Sequence, residues 1–303
     1  MKFSIVTPTF NSQRFLPRAI ESVVGQKGDF SIEYIIVDNC STDQTGDIVE
    51  RYRNDMETGA FQGQCHDIRL HFVREPDGGM YDAIAKGFSV ATGDILAWIN
   101  SDDVYLAGAF ERVRKVFTRY PEVEWLKGIT SYIDENGDIT SYGRFLLYDR
   151  NRIKKGFYGP VLYFIQQAGV FWRSNLWEKA QGRFSEYTLA GDYYLWRQFA
   201  NFTPLFAVNA FLSCFRIVHG QKSEDIQNYW DEMELKKDFD GRLRKLLRLY
   251  VRMEPRLPGF MGAALRRLIF GLPEYPFILC ASDGNLLKCT LRDRSGRHDK
   301  VTG

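Results

Sequence analysis

The first hundred residues alternate between short apolar runs and helically spaced segments, and that alternation limits what the chain can fold into. Phe3 to Thr7 reads as a buried strand. Phe15 to Val24 puts Phe15, Leu16, Ala19, Ile20 and Val23 on one helical face. Tyr34 to Val37 reads as a second strand, followed by NCSTDQT and a helix from about Gly46 to Tyr52. Ile68 to Val73 is a third strand before a helix over Tyr81 to Val90, and Ile95 to Ile99 a fourth before a helix from about Leu106 to Arg119. Such a chain predicts an α/β fold, a mostly parallel Rossmann-like sheet flanked by helices. Sheets of this kind bind ligands at the carboxyl ends of their strands.

Beyond residue 120 the pattern is mixed. Ile129 to Ile133 and Ile139 to Tyr142 flank a hairpin signal at Asn136-Gly137. Val170 to Trp172 predicts a short strand, and Asp192 to Phe199 a helix. From about Glu224 the chain turns basic and helical, which sets a boundary between residues 1–223 and an extension over 224–303. Its polar end, after about Ser282, is expected to be disordered.

The 303 residues are 45% apolar and 26% charged, the profile of a chain with a sizeable core, and the net charge of +2 gives no reason to expect a nucleic-acid partner. The five cysteines lie far apart with no CxxC pair, which points away from disulfides and zinc and towards a reducing compartment. No signal peptide is expected, and no apolar run approaches the roughly 18 residues of a membrane span.

Each early strand ends in small or polar residues. Thr7, Pro8, Thr9 and Asn11 follow the first; Asp38, Asn39 and Ser41 the second; Asp77 and Gly79 the third; Ser101, Asp102 and Asp103 the fourth. In a parallel sheet these ends share one rim. A helix cap explains one side-chain oxygen at each end. It does not explain two adjacent carboxylates. A divalent cation does, because manganese and magnesium prefer oxygen ligands and neutralise phosphate charge. No GxxxxGK[ST] and no GxGxxG occurs, which disfavours a P-loop NTPase and a nicotinamide dehydrogenase.

SIVTPTFN, EYIIVDNCSTDQT, EPDGGMYDAIAKG and ATGDILAWINSDD, in that order and spacing, resemble the family-two glycosyltransferases of the GT-A fold. FIQQAGVFWRSNLWEKAQGRF, LAGDYYLWRQF and FRIVHGQKS carry the resemblance to about Ser223, with a donor half over about 1–105 and an acceptor half over about 106–223. The resemblance implies a nucleotide-sugar site, for a UDP-sugar, from Thr7, Pro8, Thr9, Asn11, Asp38, Asn39, Ser41, Asp77, Gly79, Lys86, Ser101 and Asp102. It implies Asp103 and His219 as ligands of Mn2+ or Mg2+, and Asp192 as the general base of an inverting enzyme. Ser101 departs from a strict DxD, Ala85 stands where relatives carry Asn, and Gln181 where many carry Gly. Asp192 also suits a helix N-cap. Arg216 and Lys222 either pair with phosphate or are solvated.

Aromatic residues are dense between Phe157 and Phe215, and sugars stack on aromatic rings. Most such rings belong to a core; Trp172 is singled out for acceptor binding, with the amide Gln167 and its neighbour Gln166. Arg242, Arg244, Lys245, Arg248, Arg252, Arg256, Arg266 and Arg267 face only Glu254 between residues 242 and 267. Such a segment either lies on an anionic membrane surface or docks on the catalytic unit. The expected partners are a nucleotide-sugar donor and a glycan or lipid-linked saccharide acceptor, at a cytoplasmic location, peripheral to the membrane. A non-catalytic nucleotide-sugar or membrane-surface binding subunit on the same scaffold is the alternative. A nucleotidyltransferase would need a basic, glycine-rich loop that TPTFNSQRF does not supply.

Overall fold

The computed structural model describes residues 1–61, 63–160, 162–218, 220–221, 226–236, 274–281 and 284–292, with residues 245, 249, 252, 253, 256, 258 and 261. The front half follows the expected alternation. Strands β1 (Lys2–Thr9), β2 (Ser31–Asp38), β3 (Asp67–Arg74) and β4 (Ile95–Trp98) pair in parallel in the order β3-β2-β1-β4. Helices α1 (Leu16–Val24), α2 (Thr45–Glu57) and α3 (Met80–Val90) connect them. β1 and β4 are buried along nearly their whole length, as central strands covered on both faces require. α1 buries Leu16, Ala19, Ile20, Val23 and Val24, the apolar face its spacing predicts.

The chain leaves β1 towards β2 on one side and returns as β4 on the other. The order therefore reverses between β1 and β4, which makes a crevice at their carboxyl ends, the place where open α/β sheets bind ligands. β5 (Val104–Tyr105) and α4 (Ala109–Arg119) follow.

The sheet continues from β4 through β8 (Val170–Arg173), β6 (Trp125–Ile133) and β9 (Phe206–Arg216). β8 runs antiparallel to both β4 and β6, while β6 and β9 are parallel. β7 (Ile139–Ser141) pairs antiparallel with β6, as the Asn136-Gly137 signal predicts, and β5 pairs with β9. α5 (Arg150–Lys154), α6 (Ser174–Ala180), a 3-10 turn at Phe184–Glu186, α7 (Gly191–Phe202) and α8 (Ile226–Leu235) complete the described helices. β10 (Glu274–Cys280) adds in parallel to β9, and β11 (Leu286–Arg292) pairs antiparallel with β10. The expected disorder after about Ser282 is thus corrected, since Leu286–Arg292 is a strand and the Leu286 carbonyl accepts from the Tyr120 hydroxyl at 2.9 Å. The basic stretch Arg242–Arg267 lies almost wholly outside the described residues.

Aromatic rings fill the centre. Trp98 of β4 stacks on Trp196 of α7, with centroids 5.4 Å apart and planes 9° apart. Trp125, Trp172 and Phe199 pack against Trp196. Trp172 is completely buried, so its expected acceptor-binding role is corrected. A ring enclosed by Phe88, Trp98, Trp196 and Phe199 has no face left for a sugar.

Candidate active site

The loops after the four parallel strands are tied together side by side. The Asn11 amide donates to Ser41 Oγ at 2.8 Å, and Asn11 Oδ1 accepts from the Thr42 amide at 2.9 Å. Asn39 Oδ1 accepts from the Asp77 amide at 2.9 Å, joining the second loop to the third. Ser12 Oγ and Ser101 Oγ lie 2.9 Å apart, joining the first loop to the fourth. The expected rim residues are therefore neighbours in space. Asn11 holds a left-handed backbone with φ of 48°, which asparagine tolerates better than most residues, and its neighbour Cys40 does the same at 51°.

Not every expected residue offers its side chain to the crevice. Thr7 is fully buried with its hydroxyl 3.0 Å from Tyr34 Oη. Pro8 is buried in β1. The Asp38 carboxylate is also fully buried and accepts from the Ser41 amide at 3.0 Å and from the Ser41 hydroxyl. These residues build the floor of the crevice, so side-chain contacts from Thr7 and Asp38 to a nucleotide are corrected to a supporting role. Asp77 Oδ1 accepts from the Gly79 amide at 2.8 Å, and Gly79, with φ of 128°, opens α3. Lys86 donates to the Pro76 carbonyl at 2.7 Å and pairs with Glu75 at 3.1 Å, which holds the same loop.

Asp103 is completely buried. Its Oδ1 accepts from the Arg216 amide at 2.9 Å and its Oδ2 from Gln167 Nε2 at 3.1 Å. Burial, and then the charge of Asp102, push its carboxyl well above the ordinary carboxylate range. Burial also raises Asp102. Arg216 is buried as well, donating to the carbonyls of Asp102 at 2.8 Å and Asp134 at 2.6 Å, so it braces the turn rather than standing in solvent. Gln167 faces Asp103, a correction to its expected acceptor role, and Gln166 reaches Tyr132 Oη at 3.5 Å. His219 and Lys222 lie outside the described residues.

Among the described residues no set of three His, Cys, Asp or Glu side chains gathers around a possible metal position, so the acidic pair offers a divalent cation two carboxylates and nearby amide oxygens. Asn100 Oδ1 and Gln167 Oε1 are buried oxygens without a hydrogen-bond partner among the described residues. Gln167 meets Asp103, the Asn100 carbonyl accepts from the Asp103 amide, and burial disfavours the charge of both carboxylates. A hard cation reverses that penalty and uses oxygen donors of this kind.

The second cluster forms at the start of α7. Asp192 Oδ1 accepts from the Tyr193 amide at 2.7 Å and from Tyr229 Oη at 2.8 Å, while Tyr81 Oη, which donates to the Leu189 carbonyl, lies 3.4 Å away. Oδ2 accepts no hydrogen bond among the described residues. Desolvation, opposed by these donors, pushes the carboxyl up to about 6. A carboxylate with that value and one open oxygen can take a proton near neutral pH. Asp192 lines a recess with Phe164, Ile165, Trp196 and Tyr229. The segment from Phe164 to Gln167 thus runs from this recess to Asp103, and Tyr81, the second residue of α3, brings the donor-side loop to Asp192. Tyr81, Tyr229 and Gln167 make contacts that motif reading missed; the position of Tyr81 directly after the EPDGGM loop was the available signal.

The description "Glycosyl transferase family 2" matches residues 4–179, more than half of the chain. A PGL/p-HBAD biosynthesis glycosyltransferase of Mycobacterium tuberculosis is 37% identical over 113 residues, which are 37% of this chain and 40% of that protein. The poly(ribitol-phosphate) beta-N-acetylglucosaminyltransferase TarS of Staphylococcus aureus is 30% identical over 139 residues, 45% of this chain and 19% of that protein. An uncharacterized glycosyltransferase of Nostoc is 32% identical over 117 residues, 39% of this chain and 33% of that protein. The matched part is thus well under two thirds of each relative. The fold is similar to that of residues 1–349 of S. aureus TarS in complex with UDP-GlcNAc, with a TM-score of 0.56 at 17% identity over 82% of this chain and 70% of that one. It is also similar to a mannosyltransferase of Pyrobaculum calidifontis in complex with GDP-Man and Mn2+, with a TM-score of 0.54 at 16% identity over 88% and 75%. Both likenesses support the GT-A architecture.

Proposed function

The chain belongs to glycosyl transferase family 2, and on that premise we propose that it is an inverting, metal-dependent enzyme that moves a sugar from a nucleoside diphosphate to an acceptor hydroxyl. The observation that carries this reading is Asp192, a carboxylate held through one oxygen, open at the other and shifted up to about 6. The acceptor oxygen attacks the anomeric carbon while its proton passes to Asp192 Oδ2. The bond from that carbon to the phosphate oxygen breaks, and its electron pair leaves with the nucleoside diphosphate. Attack opposite to the leaving group inverts the anomeric centre. A single carboxylate suffices, unlike the pair that a glycoside hydrolase uses.

Asp103 would hold Mn2+ or Mg2+, with His219 as a further donor, and Asp102 would meet the ribose of the nucleotide. When bound, the cation stabilises the negative charge of the departing diphosphate. The loops at Asn11, Asn39, Asp77, Gly79 and Ser101 would shape the donor pocket, with Thr9 on its floor. The donor we propose is a UDP-sugar, in keeping with the TarS likeness, and the acceptor a glycan or lipid-linked saccharide. The basic stretch Arg242–Arg267 supports a peripheral place on the cytoplasmic face of a membrane, where a lipid-linked acceptor would be met. Among the described residues no helix is long and apolar enough to cross a membrane.

A thermal-shift panel of nucleotide sugars, with and without manganese, tests the donor and metal together. A ligand that binds the folded state raises the melting temperature. The expected result is a manganese-dependent rise with a UDP-sugar that disappears in Asp103→Ala. No rise with any nucleotide sugar in the wild type would overturn the reading.

A further inference from the structure

Helix α8 spans residues 226–235, well beyond the part of the chain that the family description matches. It nevertheless meets the proposed base directly. Tyr229 Oη donates to Asp192 Oδ1 at 2.8 Å, and its ring sits edge-on to Phe164 with centroids 5.5 Å apart. One turn on, the Glu232 carboxylate accepts from three consecutive amides just before α7: Thr188 at 2.7 Å, Leu189 at 2.8 Å and Ala190 at 2.7 Å. From the other side, Tyr81 Oη donates to the Leu189 carbonyl at 2.8 Å. The segment that delivers Asp192 is therefore fastened at its amides by α8 and at a carbonyl by α3.

A helix that only covered apolar surface would not need a carboxylate on three successive amides. Those amides lead into the positive end of α7, where an anion is favoured and where free N–H groups need partners. We propose that Tyr229 and Glu232 are positioning residues for transfer: Glu232 fixes the segment before α7, and Tyr229 occupies Asp192 Oδ1 so that Oδ2 is the oxygen that receives the acceptor proton. This inference rests on the reading of Asp192 as the general base.

The polar groups around Asp192 are Tyr81 from α3, Tyr193 and Arg197 from α7, Tyr158 from the loop after α5, and Tyr229 and Glu232 from α8. Burial pushes the phenols of Tyr81, Tyr158 and Tyr229 up, so they remain donors throughout the neutral range. Burial pushes the Asp192 carboxyl up to about 6, at the edge of that range. A hydrogen bond to the ionised carboxylate favours that form, so removing it raises the pKa.

The experiment measures kcat/KM against pH, using the full chain with manganese and the donor that binds, for wild type, Tyr229→Phe, Glu232→Gln and Asp192→Asn. In Tyr229→Phe the acid limb should move up by about one pH unit, and kcat should fall several-fold. The donor-induced thermal shift should stay as in the wild type. Glu232→Gln should lower kcat without raising the donor KM. A Tyr229→Phe enzyme with wild-type kcat and an unmoved acid limb overturns the inference. So does a faster one with an unmoved limb, because α8 would then be a cover rather than a clamp. If Tyr229→Phe does not fold, a folded Glu232→Gln with unchanged kcat overturns it equally. Full transfer by Asp192→Asn would instead remove the base reading itself. Loss of transfer there, beside an unaffected Tyr229→Phe, would remove only the role given to α8.

Discussion

Asp102 and Asp103 occupy a position where two negative charges are unfavourable without help. Asp103 has no exposed surface, and among the described residues only an amide from Arg216 and another from Gln167 meet its oxygens. Replacing it with asparagine keeps the shape and removes the buried charge; a flip of the Gln167 amide would present its unpaired Oε1 to the new N–H group. Asp103→Asn is therefore expected to raise the melting temperature of the metal-free protein by about 2–4 °C, the shift that about 1 kcal/mol gives. It should also eliminate any manganese-dependent increment, and a calorimetric scan with and without the ion reads both. Trp172 makes the opposite case. It lies on β8 inside the core, so Trp172→Ala should destabilise the fold by about 3–5 kcal/mol in denaturant titration. The sequence placed both residues in plausible sites, but an aromatic-rich segment looks alike whether its rings face a ligand or each other. The carboxylate pair was legible because two adjacent charges at a strand end need an external cause. Asp192 was legible through the motif around it, whereas Tyr229 and Glu232 were not, because they lie far along the chain and carry no local pattern.

At the scale of elements, the parallel half of the sheet was legible because each strand is followed by its own covering helix. α3 shows how closely such units pack. A methyl group added at Gly87 would lie 2.5 Å from Val6 Cγ1 and 2.9 Å from Cγ2, so the helix sits directly on β1. Gly87→Ala should force them apart and destabilise by about 1–3 kcal/mol, measured by chemical unfolding. β9, β10 and β11 were not read as strands. β9 is covered on both faces, with a burial pattern that gives no alternation. β10 carries Pro276, a residue that argues against a strand interior, and it pairs with β9 from far along the chain. α6 is seven residues long, too short to show periodicity. Those pairings are set by tertiary contacts, yet β9 delivers Arg216 to Asp103.

At the scale of the molecule, the site draws on the ends of β1, β2, β3 and β4, on the segment before α7, and on α8. Buried charges leave a signature in stability as well as in rate. Lys127 is buried on β6, donating to Gly128, Thr130 and Ala168 oxygens, and burial brings its amine down to about 7. Between that value and its ordinary value the unfolded chain holds the extra proton, so stability should rise with pH across this window. Lys127→Met should flatten the rise in melting curves taken from pH 7 upward. For Asp192, raised to about 6, the folded chain holds the extra proton, so stability should fall as pH climbs from about 4 to about 6. Transfer should gain over the same interval, because only the ionised carboxylate accepts a proton. The most direct test is the transfer rate of Asp192→Asn at saturating donor and manganese, measured beside its donor-induced thermal shift. The account predicts an unchanged shift with a rate lower by about 10²–10⁴-fold; a rate equal to that of the wild type would contradict it.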